Sequence, residues 1–217
     1  MAGVSKERRR VAEIFDRFAA RTADPRTELV YSSPFTLLVS VVLSAQATDV
    51  SVNLATVTLF KTADAPQAMV DLGEAGLIPF IARIGLFRTK ARNVIALSRI
   101  LLDHHGGKVP LDRQALQALP GVGRKTASVV LNELGVEASI AVDTHVFRVA
   151  HRLGLSKAKK PEQVEADLMR VVPPERRSRA HHWLILHGRY VCLARRPKCA
   201  ECPVSDLCPS RELFLGV

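Results

Sequence analysis

Lys125 and Asp143 have the residue types and the spacing of an amine nucleophile with an acid-base partner. A helix predicted over 124–134 would carry Lys125 in its first turn, where the positive end of the helix dipole disfavours an ammonium group. Such a lysine can act as a nucleophile near neutral pH, although a solvated lysine that contacts a phosphate is the simpler interpretation. The segment 135–142 is long enough to return the chain to the start of that helix. Asp143, besides its expected role as the N-cap of a helix over 144–153, would then face Lys125.

The residues just before Lys125 predict the turn of a helix-hairpin-helix. Pro120 ends one helix, and Gly121 and Gly123 allow the positive φ that a short connection between helices requires. Small residues in such a turn let backbone N–H groups approach an anion, and the N-terminus of the next helix adds positive potential. We therefore expect a phosphate-binding turn at Gly121 and Gly123, with Arg124 beside it.

The cysteines of the chain predict a metal centre rather than disulfides. They lie within seventeen residues in the pattern C-x6-C-x2-C-x5-C: Cys192, Cys199, Cys202 and Cys208. A structural zinc ion and a cubane iron-sulfur cluster both take four thiolates, so the spacing alone leaves the two open. The loop between the first two cysteines is basic, and its residues Arg195, Arg196 and Lys198 are expected to contact phosphates.

The charge balance predicts a polyanion as partner. Lysine and arginine outnumber aspartate and glutamate by 31 to 21, which gives a net charge of +10 and a pI near 10.0. Aromatic residues make up only 5% of the chain, too few for the stacking platforms of a single-strand binder, so duplex DNA fits better. The N-terminus has no apolar segment typical of a signal peptide, and the apolar stretch 35–43 is far shorter than the roughly 20 residues of a membrane span. We expect a cytoplasmic, nucleoid-associated monomer with no membrane partner.

The hydrophobic periodicity predicts an all-α fold, because no segment shows the sustained alternation of a strand. Apolar residues at helical spacing predict an amphipathic helix near the N-terminus: Val11, Ile14, Phe15 and Phe18. Ser33 and Pro34 are typical of the N-cap and first position of a helix, and the helix predicted over 35–45 is apolar on all sides, which places it in a core. Pro66 and Pro79 predict further helix starts.

The segment Leu119-Pro-Gly-Val-Gly-Arg-Lys-Thr-Ala127, followed by Val142-Asp-Thr-His145, resembles the helix-hairpin-helix and aspartate signature of the DNA glycosylase superfamily. The cysteine spacing is similar to the [4Fe-4S] box of the endonuclease III family within it. This resemblance covers nearly the whole chain and implies two helical domains. A central helical-barrel domain with the helix-hairpin-helix, 27–135, would stand beside a discontinuous domain, 1–26 with 136–217. The latter would carry a [4Fe-4S] cluster on the four cysteines, chiefly as a structural element.

The resemblance also implies a reaction and a role for each site residue. The enzyme would be a DNA glycosylase and AP lyase that removes oxidised pyrimidines from duplex DNA. Lys125 would form a Schiff base at the sugar and cut the strand by β-elimination, while Asp143 would stabilise positive charge and assist proton transfer. Gln46 and Leu86 would fill the gap left by the flipped nucleotide, and His145 would contact a phosphate.

Three alternatives stay open on the sequence. A related glycosylase could act on pyrimidine dimers, mismatched thymine or adenine, although a lysine at position 125 and a chain that ends nine residues after Cys208 argue against adenine. A non-catalytic helix-hairpin-helix DNA-binding protein would need neither Lys125 nor Asp143. An interaction protein built on structural zinc would use the same four thiolates.

Overall fold

The computed structural model describes residues 2–214, and the side chains from Lys6 onward. No β-strand occurs in these residues, which confirms the predicted all-α fold class. The chain packs into two compact units, one of residues 27–137 and one that joins the residues up to Arg26 with those from Ala138 onward. The domain bounds drawn from the family resemblance, 27–135 against 1–26 with 136–217, stay a prediction.

The helices are, in chain order, α1 (Ala2–Arg21), α2 (Pro34–Ser44), α3 (Asp49–Thr62), α4 (Pro66–Ile81), α5 (Phe87–His105), α6 (Arg113–Gln117), α7 (Arg124–Glu133), α8 (Thr144–Arg152), α9 (Pro161–Val171) and α10 (Arg177–Tyr190). Helices α2 to α7 form the 27–137 unit, and α1 with α8 to α10 form the unit of the chain ends. Short 3-10 turns follow α9 and α10: Pro174–Arg176, Cys199–Glu201, Ser205–Leu207 and Arg211–Leu213.

Helix α2 lies in the core of the 27–137 unit, as its composition predicts. Ser33 and Thr36 form a capping box, in which the Thr36 N–H donates to Ser33 Oγ at 3.1 Å and the Ser33 N–H donates to Thr36 Oγ1 at 2.8 Å. Pro34 takes the first helical position, where an N–H group has no partner inside the helix. Every residue of 35–43 is buried, so the helix is surrounded by other elements.

The expectation that Pro79 starts a helix was wrong, whereas Pro66 does start α4. Pro79 lies inside α4, whose helical geometry is interrupted earlier, at Gly73, where φ is 67°. Leu77 and Ile81 on either side of the proline are completely buried, and this packing holds the segment in the helix despite the missing N–H group.

The N-terminal helix packs against the C-terminal part of the chain. The apolar residues predicted to form its buried face are all buried: Val11, Ile14, Phe15 and Phe18. The ring centroids of Phe15 and Trp183 are 6.3 Å apart, and Trp183 donates from Nε1 to the carbonyl oxygen of Thr22 at 2.8 Å. Helices α1 and α10 therefore share one core.

Candidate active site and iron-sulfur centre

The turn between α6 and α7 needs glycine at position 121 for two reasons. Gly121 has φ of 80°, in the left-handed region that residues with a Cβ rarely adopt. A Cβ at this position would also lie 2.9 Å from Asn93 Nδ2 and 3.1 Å from Asn93 Cβ on α5. Val122 follows as a buried anchor, and its N–H donates to the carbonyl oxygen of Leu119 at 3.0 Å. The predicted hairpin turn is present and packs closely on α5.

The prediction that Gly123 also needs a positive φ was wrong. Its φ is −85°, and it is the N-cap of α7 without a side chain to cap the helix. No heavy atom lies within 4 Å of the position that a Cβ would take, so the space in front of the helix N-terminus is open. A glycine here therefore leaves room for an anion to meet the first N–H groups of α7.

Lys125 and Arg124 are exposed in the first turn of α7. The opposite side of the helix is in the core, where Ala127 and Leu131 are buried. Arg113 of α6 fixes the hairpin further, because its Nη1 donates to Ser128 Oγ at 2.8 Å and its Nε and Nη2 donate to the Glu137 carboxylate at 3.2 and 2.7 Å. The helix that carries Lys125 is thus bonded both to α6 and, through Arg113, to Glu137.

Asp143 is the N-cap of α8, as predicted. Its Oδ1 accepts hydrogen bonds from the backbone N–H groups of His145 and Val146, both at 2.8 Å. The half-buried carboxylate is therefore fixed at the N-terminus of α8.

His145 lies within reach of Arg148 one turn further along α8. The Arg148 Nη2 is 3.2 Å from His145 Nδ1, and a guanidinium group can only donate, so Nδ1 accepts. A neutral ring then carries its proton on Nε2. That N–H group is a suitable donor for a phosphate oxygen, the role expected for His145.

Two arginines of α8 hold the cysteine-rich loop, and the sequence reasoning missed both. Arg148 donates from Nε to the carbonyl oxygen of Cys192 at 3.0 Å and from Nη2 to that of Gly188 at 2.8 Å. Arg152 donates to the carbonyl oxygens of Leu193 and Ala194 at 2.6 and 2.8 Å, and its Nη1 lies 3.4 Å from Cys192 Sγ. Their spacing of four residues on a predicted helix was the available signal. Helix α8, which Asp143 caps, is thereby bonded to the loop that begins at Cys192.

The four thiols line one cavity, which also includes Arg152 and His187: Cys192, Cys199, Cys202 and Cys208. Burial raises the pKa of Cys202 to about 11 and also raises the pKa of Cys208, so a bound cation is needed to keep these sulfurs as thiolates near neutral pH. In the described part of the chain, no three Cys, His, Asp or Glu side chains converge closely enough for a single metal ion. An iron-sulfur cluster is a larger group held by four thiolates, and the thiol-lined cavity fits it.

Gln46 and Leu86 are brought together in two adjacent turns of the 27–137 unit. A Cβ built at Gly85 would lie 3.7 Å from the carbonyl oxygen of Gln46. Both residues are exposed, Leu86 by 59%, and both have a left-handed backbone, with φ of 54° and 60°. They are the only non-glycine residues with positive φ in the described chain. Strained residues of this kind collect at functional sites.

The basic residues of the cysteine-rich loop face solvent. Arg195, Arg196 and Lys198 are all exposed, and the Lys198 N–H donates to the carbonyl oxygen of Val191 at 2.9 Å, which closes the loop onto the end of α10. The position of these side chains is compatible with the predicted phosphate contacts.

Comparison with known proteins assigns the chain to a family. The model of the HhH-GPD superfamily of base excision DNA repair proteins matches residues 39–174, and that of the iron-sulfur binding domain of endonuclease III matches residues 192–208. The first match spans more than half of the chain and defines its class, a base excision DNA repair protein. Endonuclease III of Rickettsia conorii is 54% identical over 91% of this chain and 94% of the relative, and that of Escherichia coli K12 is 54% identical over 92% and 95%. The chain belongs to the endonuclease III family.

Solved structures agree with this assignment. A trapped endonuclease III–DNA covalent intermediate has a TM-score of 0.87 at 43% identity, over 94% of this chain and 96% of that chain. A non-covalent endonuclease III–DNA complex has a TM-score of 0.86 at 43% identity, over 93% of this chain and 94% of that chain. A thermostable thymine-DNA glycosylase, at 23% identity and a TM-score of 0.83, shares the fold over 97% of this chain and 99% of that chain.

The expected base-excision DNA glycosylase with AP lyase activity is confirmed by these relatives, as are the [4Fe-4S] cofactor and DNA as partner. None of the helices in residues 2–214 is both long and apolar enough to cross a membrane.

Proposed function

We propose that this base-excision DNA glycosylase and AP lyase removes oxidised pyrimidines from duplex DNA, with Lys125 as nucleophile and Asp143 as its acid-base partner. The observation that carries the proposal is the placement of Lys125. It is exposed in the first turn of α7, directly after a glycine turn that is open to an anion. A turn that holds the DNA backbone and a lysine that attacks the sugar can then share one helix N-terminus. The relative trapped as a covalent intermediate with DNA supports a nucleophile of this kind.

The chemistry needs an amine and a carboxylate. The Nζ of Lys125 attacks C1′ as the C1′–N bond to the damaged base breaks, and the base leaves with the electron pair and takes up a proton. The sugar ring then opens and the amine becomes a Schiff base. Loss of a C2′ proton expels the 3′ phosphate, and water finally hydrolyses the imine to free Lys125. The Asp143 carboxylate stabilises positive charge at the sugar and carries protons.

The remaining site residues bind and deform the duplex. Gly121, Gly123 and Arg124 hold one phosphate at the N-terminus of α7, and His145 donates from Nε2 to another. Gln46 and Leu86 enter the space left by the flipped nucleotide. The exposed Arg195, Arg196 and Lys198 extend the contact along the backbone, and the net charge of +10 attracts the duplex over a longer range.

Four thiolates hold the cluster: Cys192, Cys199, Cys202 and Cys208. When bound, it supplies the covalent links that keep the basic loop folded. We further propose that the protein acts as a monomer on the chromosome.

The variant Asp143→Asn tests the catalytic proposal with little disturbance of the fold, because asparagine caps helices as well as aspartate. On a duplex with one thymine glycol, we expect wild type to release the base and Asp143→Asn to be slower by about 10²–10⁴-fold. The thermal midpoint should be almost unchanged. Full activity of Asp143→Asn would contradict the role of the carboxylate.

Substrate class is tested with matched duplexes that carry thymine glycol, a cyclobutane pyrimidine dimer or a T·G mismatch. We expect efficient release from the first only. Preference for the dimer or the mismatch would overturn the assignment of oxidised pyrimidines.

A further inference from the structure

Lys90 is a buried lysine whose amine has no hydrogen-bond partner among the described residues. It lies in the first turn of α5, four residues after Leu86, and only 4% of its surface is exposed. Its Nζ is buried and has neither a hydrogen-bond acceptor nor a carboxylate partner among the described residues. Burial accordingly lowers the pKa of the amine. A buried polar group without a hydrogen-bond partner destabilises a folded protein, and native structures contain few of them.

The surroundings of Lys90 hold further unusual features. Gln46 and Leu86, both in strained left-handed backbone, lie in the two turns next to the start of α5. Strain and unsatisfied polar groups concentrate where a protein has a second state in which they are relieved. Two strained residues and one unpaired ammonium group at the same place indicate such a second state.

The position of Lys90 on α5 favours one partner for its amine. A long side chain in an α-helix tends to lie over the turn that precedes its own Cα, and for Lys90 this is the turn that contains Gly85 and Leu86. That turn contacts the carbonyl oxygen of Gln46, which is 3.7 Å from the position of a Cβ on Gly85.

We propose that Lys90 is a positioning residue for Gln46 and Leu86. Its amine has no acceptor among the described residues of the free protein, and as an ammonium group it donates a hydrogen bond to the carbonyl oxygen of Gln46 when the two turns enter the duplex. The proposal rests on the proposed role of Gln46 and Leu86 as gap-filling residues. The new hydrogen bond offsets part of the unfavourable unstacking of the DNA. The amine of Lys90 thus gains its partner only when DNA binds.

The variant Lys90→Met tests this inference, because methionine keeps much of the length and removes the charge. We expect the thermal midpoint of the free protein to rise by about 3 °C. Affinity for a lesion duplex should fall by about tenfold. A 2-aminopurine placed opposite the lesion reports insertion directly, and its fluorescence increase on binding should be smaller than with wild type. The control Lys108→Met removes an exposed lysine beyond the other end of α5 and should change none of the three readouts.

Two results would overturn the inference. A lower thermal midpoint, or failure to fold, would mean that the ammonium group already has a stabilising role in the free protein. Unchanged affinity and fluorescence would mean that it gains no partner on DNA. If wild type releases the base normally, either result contradicts only the role inferred for Lys90. If wild type releases no base, the proposed function itself is contradicted.

Discussion

Replacing Leu86 with asparagine is expected to give a more stable protein than a matched control substitution but a slower enzyme. Leu86 has φ of 60° and ψ of 28°, and a left-handed conformation costs an L-residue other than glycine about 1–2 kcal/mol, less for asparagine. Leu111 is a matched control, because it is 58% exposed against 59% for Leu86 and has no positive φ. Leu111→Asn therefore loses a similar apolar contact without relief of strain.

The two variants should differ in their free energy of unfolding by about 1 kcal/mol in favour of Leu86→Asn, or about 2–4 °C in thermal midpoint. Denaturant unfolding measures this difference. Single-turnover excision from a thymine glycol duplex should be at least about tenfold slower for Leu86→Asn, because the apolar group that fills the gap is gone, and unchanged for Leu111→Asn. Equal stability of the two variants would refute the strain argument, and normal excision by Leu86→Asn would refute the insertion role.

Three further substitutions test the packing and the electrostatics. Gly188→Ala should lower the free energy of unfolding by about 1–3 kcal/mol in thermal melts, because its Cβ would lie 2.9 Å from His145 Cβ. Arg148→Met should destabilise by about 1–3 kcal/mol and release iron at a lower temperature, followed by cluster absorbance, because two carbonyl oxygens lose their donor. Burial lowers the pKa of Lys90 in the folded protein below its value of 10.5 in the unfolded chain. Between these two pKa values the unfolded chain binds more protons than the folded one, so the free energy of unfolding should rise with pH up to about 10.5. Denaturation at a series of pH values below 10.5 should show this rise in wild type and not in Lys90→Met.

Helix capping and turn glycines could be predicted from the sequence, because they depend on residues that are neighbours in the chain. Asp143 and Ser33 cap their helices because a short side chain with an oxygen acceptor can bond the free N–H groups of the first helical turn. Gly121 has φ of 80°, a left-handed conformation that a residue with a Cβ rarely adopts. These features are set by neighbours within a few residues, or by the backbone conformation itself.

Features that depend on distant partners were not predictable from one sequence. From the sequence alone, Lys90 would be expected on the exposed face of a helix. The packing around α5 buries it instead. Arg148 and Arg152 bind carbonyl oxygens about 40 residues away in the chain, which no periodicity encodes. Pro79 stays within α4 because tertiary packing outweighs the local preference to end a helix.

Borohydride trapping on a duplex with one oxidised pyrimidine tests the central claim most directly. Wild type should form a covalent protein–DNA adduct and cut the strand, and folded, cluster-loaded Lys125→Gln should do neither. An adduct with Lys125→Gln, or base release by wild type without any adduct, would contradict the assignment of Lys125 as the Schiff-base nucleophile.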